Sequence, residues 1–378
     1  MSLIVATIGG AALAVGAFID PAQAAFSYLT AFVSVAGILV AALMLVLIQH
    51  VIGATWFVVM RRATEDVTAA LPVLIPLFVP IAVGMHWLYP WVHPADLDEV
   101  ARESVLRKSA YLNTPFFLVR SAAYLASWVI VGDRLRRWSL DQDGPSGRVW
   151  RWDSPDRIGG PALILLAFTL AFAAIDWVMS LSPDWYSTIF GVQLFAGAMV
   201  GALGLLAVLA DTPGHTTLSG AVSAEHRAAI GKMILTFATF WAYVSFAQLL
   251  IVWIGDLPVE IRWYLPRARG SWLAFGLAVA FGHFVVPVVA MVPHAWKRRA
   301  SILRRLGVWL LFMHYADVYW LVTPARHPGG VALHWLDAAA LATVAGIVGG
   351  VALWRARDHA RIPIGDPSLD RSLRYSGA

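Results

Sequence analysis

The sequence predicts an all-α integral membrane protein with about ten transmembrane helices. Hydrophobic residues make up 59% of the 378 residues and charged residues only 13%, whereas about 25% of the residues of a soluble protein are charged. Ten apolar runs approach the length of about 20 residues that a helix needs to cross the hydrocarbon core. No run alternates polar and apolar residues with period two, so we do not expect a transmembrane β-barrel.

The ten runs follow one another with short connections, and each is predicted to form one transmembrane helix. They cover residues 3–19, 26–48, 68–89, 115–132, 158–180, 189–210, 233–254, 271–293, 306–323 and 333–354. The first run lacks the basic residues that begin a cleavable secretory signal, so it is expected to remain as the first span. We therefore predict a membrane domain over residues 1–354 and a polar, irregular tail over residues 355–378.

The distribution of Lys and Arg predicts the orientation. Of the 28 Lys and Arg residues, 20 fall in the even-numbered connections and the C-terminal tail, 7 fall in the odd-numbered connections, and Arg120 falls inside the fourth span. Basic residues are concentrated on the cytoplasmic side of membrane proteins. The asymmetry predicts that both termini are cytoplasmic, which requires an even number of spans.

The composition also excludes some kinds of site. The chain has no Cys, so it cannot hold a thiolate-bound iron–sulfur cluster or a covalently attached haem c, and no metal site is expected. The net charge of +5 comes from short basic clusters between apolar runs. That arrangement is typical of topology signals, and we do not expect nucleic-acid binding.

Five short strings that combine aromatic with polar or charged residues lie in or near the predicted spans. They are His86–Trp91, Tyr111–Phe117, Asp176–Ser180 with its continuation Trp185–Gly191, Phe240–Gln248 and Asp317–Trp320. In this order they resemble the ActF family of membrane subunits of alternative complex III, a bacterial quinol:electron-acceptor oxidoreductase. The family is related to the polysulfide-reductase, or NrfD-like, membrane subunits. The likeness extends over about residues 20–360.

The resemblance implies both an architecture and partners. Spans 2–5 and 6–9 would form two four-helix bundles, with spans 1 and 10 on the flanks, in the bacterial cytoplasmic (inner) membrane. The partners would be a homologous ActC-like membrane subunit, an iron–sulfur subunit and c-type cytochrome subunits, which would hold all haem c and iron–sulfur centres. Menaquinol or ubiquinol is the expected ligand of the complex. Its better-supported site is in the homologous subunit, so this chain would bind quinol, pass protons or aid assembly.

Polar residues near the odd-numbered connections are the candidates for a quinol site. Asp176 and Arg120 lie within the fifth and fourth predicted spans, and an unpaired guanidinium there would be costly, so we expect these two to form an ion pair. His86 and Tyr89 are three residues apart and are expected to share a helix face, where they can donate hydrogen bonds to a quinone. Asp317 on the ninth span is the fifth quinol-site candidate.

A second set of residues is predicted to carry protons. His283 lies in the middle of the eighth span, and its alternative role is a hydrogen bond to a carbonyl freed near Pro287. His314 lies three residues before Asp317, and together they would form either a proton relay or a mutually satisfied polar pair. Mid-membrane titratable groups often mark a functional path.

The proton entrance is predicted on the cytoplasmic side. His50 ends the second predicted span, and Glu65 and Asp66 follow an amphipathic, helical-looking segment. These carboxylates can collect protons, or they can pair with Arg61 and Arg62 in a solvated lattice of ion pairs three and four residues apart. The sequence leaves both interpretations open, although the lattice is the more ordinary one.

Two modes of action follow from these residues. In the first, Asp176, Arg120, His86, Asp317 and His283 share one internal site. Quinol is oxidised here or in the homologous subunit, and titratable side chains carry the released protons to the outer face. In the second, the chain binds no quinone and offers a half-channel for protons. The sequence does not decide between them.

Other classes of protein fit less well. A structural anchor without chemistry of its own is the main alternative. A secondary transporter is favoured only by the prolines that interrupt the third and eighth spans. A b-type cytochrome would need paired histidines at matched depth, and the eleven His residues provide no convincing pair.

Overall fold

The computed structural model describes residues 2–97, 99–144, 155–211 and 216–377. Within them, ten helices are long and apolar enough to cross a membrane, and no residue is in a β-strand. We label the helices α1 to α10. In order they are Ser2–Ile19, Pro21–Ile52, Thr55–Val83, Thr114–Gln142, Arg157–Leu181, Phe190–Ala210, Ala224–Gly255, Gly270–Met291, Ala300–Ala325 and Trp335–Arg355. The predicted fold class is therefore confirmed.

The helices pack as two four-helix bundles. In bundle one, α2 contacts α3 and α5, and α4 contacts the same two helices from the other side. In bundle two, α6 contacts α7 and α9, and α8 closes the ring between them. Helix α2 also packs against α6 and α9, and α5 packs against α6, so the two bundles share one core. Helices α1 and α10 flank this core, as predicted.

Close contact between α1 and α10 depends on small residues. A Cβ atom at Gly9 would lie 2.8 Å from the carbonyl oxygen of Ala339, and one at Gly346 would lie 2.9 Å from the Cβ atom of Ala6. Small residues let helix backbones approach closely in a membrane, where the hydrophobic effect cannot drive association. Helix α10 in turn packs on α2, and α1 also contacts α2 directly.

Local signals account for where several helices begin and end. Helix α2 ends at Gly53, which adopts a left-handed conformation with φ of 63°, a conformation that costs glycine little. Asn113 caps α4 by accepting a hydrogen bond from the Phe116 backbone. His334 and Asp337 form a reciprocal capping box at the start of α10. These two residues therefore fix where the tenth helix begins.

The third helix does not have its predicted bounds. The apolar run predicted 68–89, whereas α3 covers Thr55–Val83 and a short turn of helix, Met85–Leu88, follows Gly84. The run of apolar residues marks only the part that crosses hydrocarbon. The start of α3 is rich in charged residues, and these are covered by other parts of the same protein rather than by lipid.

The C-terminal tail lies against one end of the bundles, which we call the tail face. Asp366 forms an ion pair with Arg61, and the Val59 backbone donates a hydrogen bond to the Ser372 hydroxyl at 3.2 Å. We call the other end of the bundles the opposite face. The tail is mostly irregular, as predicted, with one short helix at Leu369–Leu373.

Candidate functional site

Asp176 and Arg120 form a buried ion pair in bundle one, as predicted. Arg120 Nε and Nη2 donate to the two carboxylate oxygens of Asp176 at 2.8 and 2.9 Å, and Tyr124 Oη donates to the same carboxylate at 2.8 Å. Arg120 also lies between the rings of Tyr111 and Phe116, 3.8 and 4.3 Å from their centroids. Three donors thus pair both oxygens of the carboxylate, and two aromatic rings contact the guanidinium that supplies two of these donors.

Tyr89 belongs to this group, but His86 does not. The Tyr89 hydroxyl is buried and donates to the backbone oxygen of Trp177 at 3.1 Å. Burial, with a smaller effect of the nearby Asp176 carboxylate, raises the pKa of Tyr89 well above its usual value. His86 is exposed and stacks on Trp87. The predicted shared helix face is wrong, because the helix ends at Leu88 and Tyr89 adopts an extended conformation.

A small cavity adjoins the Asp176 group at the opposite face. Its volume is about 270 Å³, and its walls include Lys108, Tyr111, Ser180 and Trp185. Burial and the Asp176 carboxylate raise the pKa of Tyr111 to about 12, so this hydroxyl stays protonated. The indole nitrogen of Trp185 is buried and has no hydrogen-bond partner among the described residues. Lys108 and Ser180 already donate to the backbone oxygens of Pro183 and Asp176, so Trp185 is the donor of interest at this mostly apolar cavity.

Bundle two contains a second buried group, which we call the α9 cluster: Trp241, His283, His314 and Asp317. Trp241 Nε1 donates to Asp317 Oδ2 at 3.0 Å, and the Trp241 ring stacks on the ring of His283 with centroids 4.4 Å apart. His314 Nε2 lies 3.1 Å from the backbone oxygen of Ser34. All four side chains are at most 4% exposed.

Several polar atoms of the α9 cluster have no hydrogen-bond partner among the residues that the structure describes. They are both ring nitrogens of His283, Nδ1 of His314 and Oδ1 of Asp317. His283 therefore does not bond a carbonyl near Pro287, and His314 and Asp317 do not bond each other. The alternative interpretations, a hydrogen bond from His283 to a carbonyl and a mutually satisfied pair of His314 and Asp317, are therefore wrong. Gly197 faces His314 and Asp317, since a Cβ atom at Gly197 would lie 2.7 Å from Asp317 Oδ2 and 3.6 Å from His314 Nδ1.

The predicted single site is therefore two separate groups. Asp176, Arg120 and Tyr89 are held between helices of bundle one, and Asp317 and His283 are held within bundle two. The sequence predicts that the five residues lie at similar depths in the membrane. Similar depth does not specify which helices are neighbours, so it could not predict that the residues form two groups. His86 joins neither group.

A third group, the tail-face network, contains the predicted proton-entrance carboxylates. Glu65 lies 3.3 Å from both Arg61 and Arg62, and Asp66 accepts from Arg136 at 2.8 Å and from Arg361 at 3.2 Å. The predicted ion pairs exist, but the expectation that they are solvated is wrong. Arg61, Arg62, Glu65 and Asp66 are at most 4% exposed, because α4 and the tail cover them.

His50 lies at the edge of this network. It stands in the last turn of α2, and its ring meets the ring of Trp138 edge-on with centroids 5.4 Å apart. His50 and Glu65 are thus both at the tail face, where the sequence predicts the proton entrance.

A crevice runs from the level of the α9 cluster in the membrane to the tail-face network. Its volume is about 530 Å³, and helices α2, α3, α6, α9 and α10 contribute to its walls. Ser34 and His314 line its deep end, and Asp66 and Arg361 line its tail-face end. Nearly all of the remaining lining residues are apolar.

Sequence reasoning missed several residues of these groups. Tyr124, Arg136 and Arg361 give no local signal, since each resembles many other aromatic or basic residues of the chain. Trp241 belongs to the string Phe240–Gln248, but nothing in the sequence indicates that it contacts Asp317. Arg267 was counted as a loop charge, but it is buried against the Trp263 ring and donates to the backbone oxygen of Leu321 at 2.8 Å. Burial lowers the pKa of Arg267 to about 9.

The fold and the buried groups define the class of this protein: an all-α, multi-pass membrane protein with titratable side chains held between its helices. Comparison with models of known protein families finds no match, and comparison with curated proteins finds none either. Among the described residues, no three His, Asp or Glu side chains are grouped so that they could hold a metal ion.

Proposed function

We propose that this chain is a membrane subunit of a bacterial quinol:electron-acceptor oxidoreductase of the alternative complex III type, and that bundle two carries protons for the complex. The observation that carries the proposal is the α9 cluster, in which two histidines and an aspartate are buried together with unpartnered polar atoms. A titratable group inside a membrane helix is costly, and such groups usually mark proton or ion pathways.

The cost of the α9 cluster argues against a purely structural role. An unsatisfied buried polar atom costs about 1–3 kcal/mol, and a fully paired group avoids that penalty. Asp176 in bundle one avoids it through Arg120 and Tyr124, whereas one oxygen of Asp317 has no partner in the described part of the chain. A carboxylate that must gain and lose a proton needs such an incomplete set of partners, because full pairing would fix its charge.

The family resemblance points to the same residues. Trp241 and Asp317, which are joined by a hydrogen bond, come from two of the five strings on which the resemblance rests. In the proposed complex, protons enter near Glu65 and Asp66, pass the α9 cluster and leave at the opposite face. The termini are cytoplasmic, and electrons from quinol go to haem c and iron–sulfur centres in partner subunits.

Replacing Asp317 tests the proposal. In the purified complex reconstituted in vesicles, Asp317→Asn should lower the number of protons translocated per electron while quinol oxidation continues. The asparagine keeps the size of the side chain and can accept from Trp241, but it cannot take up a proton. The measurement is the pH change outside the vesicles during a pulse of quinol.

The matched control is Asp337→Asn. Asp337 is also a buried acid near the opposite face, but its contacts belong to the start of α10 and to Ser27. This control should leave the proton yield per electron unchanged. If Asp317→Asn preserves assembly, quinol oxidation and proton yield alike, the chain is an anchor and the proposal fails.

A second candidate function is a quinol head-group site at the opposite face, favoured by the 270 Å³ cavity beside Asp176. Its volume is slightly below the 300–1,000 Å³ that is typical of ligand pockets. It would therefore admit a head group and leave the isoprenoid chain outside. The Trp185 indole offers an unused hydrogen-bond donor to a quinol oxygen.

Trp185→Phe tests this second function. The variant removes the free N–H and keeps an aromatic ring against Trp263. We expect the KM for quinol to rise severalfold with assembly intact, because one bond to the head group is lost. Trp253→Phe is the control, since Trp253 is exposed on α7. An unchanged KM would place the quinol site in another subunit.

A further inference from the structure

The crevice between α9 and α10 opens sideways toward the bilayer. Near the opposite face the two helices are joined, since Tyr315 Oη donates to the backbone oxygen of Asp337 at 3.2 Å and Tyr319 Oη donates to that of Ala332 at 2.9 Å. Toward the tail face they separate, and the crevice of about 530 Å³ lies between them. Phe312 and Leu353 on its rim are 59% and 51% exposed.

The deep end of the crevice offers carbon surface rather than hydrogen-bond donors. His314 Nε2 is already bonded to the Ser34 backbone oxygen, and Ser34 Oγ donates to the Thr30 backbone oxygen. The remaining nitrogen of His314 faces Gly197, which does not line the crevice. This environment suits an alkyl chain, because a quinone head group would need donors at that end.

The tail-face end of the crevice is basic. Arg361 lines it directly. Arg304 and Arg305 lie seven residues before Leu311 and Phe312, hence on the same face of α9 and two turns nearer the tail face. Arg357 follows Leu353 by four residues and is exposed. The carboxylate at this end, Asp66, is already paired with Arg136 as well as Arg361.

We propose that this crevice binds an anionic phospholipid from the leaflet on the tail face. One acyl chain lies along the apolar walls, and the phosphate lies among Arg304, Arg305, Arg357 and Arg361. Basic pockets between transmembrane helices bind anionic head groups through this combination of charge and apolar surface. The inference does not rest on the proposed function, since it needs only the shape and charge of this side of the molecule.

Glycine positions allow the crevice to be filled without disturbing the fold. A Cβ atom at Gly349, on the crevice wall, would have no atom within 4 Å, so Gly349→Leu projects into the empty volume. Gly160 on α5 has the same open surroundings but lies outside the crevice. Gly160→Leu is therefore the matched control, because both variants add the same side chain to an open face of a helix.

The test uses the full-length protein in mixed vesicles with photoreactive phosphatidylglycerol or photoreactive phosphatidylcholine carrying the same acyl chain. Cross-linked peptides are mapped by mass spectrometry. We expect phosphatidylglycerol to label the crevice segments 311–315 and 341–353. Gly349→Leu should lower this labelling by about tenfold and Gly160→Leu should not. Arg304→Gln combined with Arg305→Gln should reduce it by at least as much, because basic residues near the membrane surface attract anionic lipids.

Three results would overturn the proposal. Equal labelling by the two lipids would show that the basic residues select no head group. Undiminished labelling in Gly349→Leu would show that the chain does not lie in the crevice. A quinone recovered from the wild-type protein but not from Gly349→Leu would identify a different occupant.

Discussion

At the scale of single residues, the two buried aspartates of this protein have opposite surroundings. Asp176 accepts from Arg120 twice and from Tyr124 once, so its charge is compensated by geometry that only a guanidinium can supply. Asp317 accepts from one indole, and its second oxygen has no partner among the described residues. The first carboxylate is fully paired, and the second has one oxygen that can accept a further hydrogen bond.

Removing the guanidinium of Arg120 should be strongly destabilising. Arg120→Ala leaves the Asp176 carboxylate buried without a cation, a change that typically costs about 3–5 kcal/mol. Arg120→Lys should recover only part of this loss, because an ammonium cannot form the two parallel bonds. Thermal unfolding of the purified protein in detergent measures both variants.

The control for this prediction is an exposed ion pair on the same helix. Arg137 lies 2.6 Å from Asp133 and is 76% exposed, so Arg137→Ala should change stability by less than about 1 kcal/mol. Equal effects of the Arg120 and Arg137 variants would mean that burial of the Asp176 pair has no energetic consequence.

At the scale of helices, α6 and α9 approach each other more closely than any side chain would allow. A Cβ atom at Gly307 would lie 2.5 Å from the backbone oxygen of Gly204, and one at Gly204 would lie 3.0 Å from that of Gly307. Farther along these helices, His314 and Asp317 of the α9 cluster lie beside Gly197 and Gly201 of α6. Its geometry therefore depends on backbone contact between α6 and α9.

Gly307→Ala should separate these helices and destabilise the protein by about 1–3 kcal/mol, the usual cost of overpacking. The clash is with a backbone atom, which cannot move aside as a flexible side chain can. Gly349→Ala is the control, because its Cβ atom meets open space. Chemical denaturation in detergent gives both values, and equal stability of the two variants would contradict the predicted contact.

At the scale of the whole molecule, the two ends of the bundles differ in their charges and in what covers them. The tail crosses the tail face and pairs Asp366 with Arg61 and Arg361 with Asp66. The opposite face carries the connections that contain the cavity beside Asp176. By the charge asymmetry, the tail face is predicted to be cytoplasmic.

Single-cysteine labelling can test this orientation without background, because the chain has no Cys. Gly329 at the opposite face and Gly220 at the tail face both have open surroundings, so cysteine fits at either position. In cells whose outer membrane is permeabilised, a membrane-impermeant maleimide should label Gly329→Cys but not Gly220→Cys. In inverted membrane vesicles the pattern should reverse. The opposite pattern would place the termini outside the cytoplasm.

Local patterns in the sequence predict most of this fold but only part of its candidate sites. Apolar runs predicted all ten helices, because each must satisfy its own backbone hydrogen bonds inside the bilayer. The capping role of His334 was predictable because capping involves only neighbouring residues. The pairing of Arg120 with Asp176 was predictable because an unpaired charge inside a membrane is costly. The prediction that His86 and Tyr89 share a helix face was wrong because the helix ends at Leu88, before Tyr89.

The sequence by itself determined that the chain has ten helices able to cross a membrane, roughly where each apolar span lies, and that charged groups within the spans need partners. The tertiary structure alone decided that Asp317, Trp241 and His283 form one group while Asp176 forms another, and that Arg61, Arg62, Glu65 and Asp66 are buried. The physical reason is that hydropathy and helix geometry act along the chain. Which side chains meet across helices depends on packing between residues far apart in sequence, such as Asp66 and Arg361.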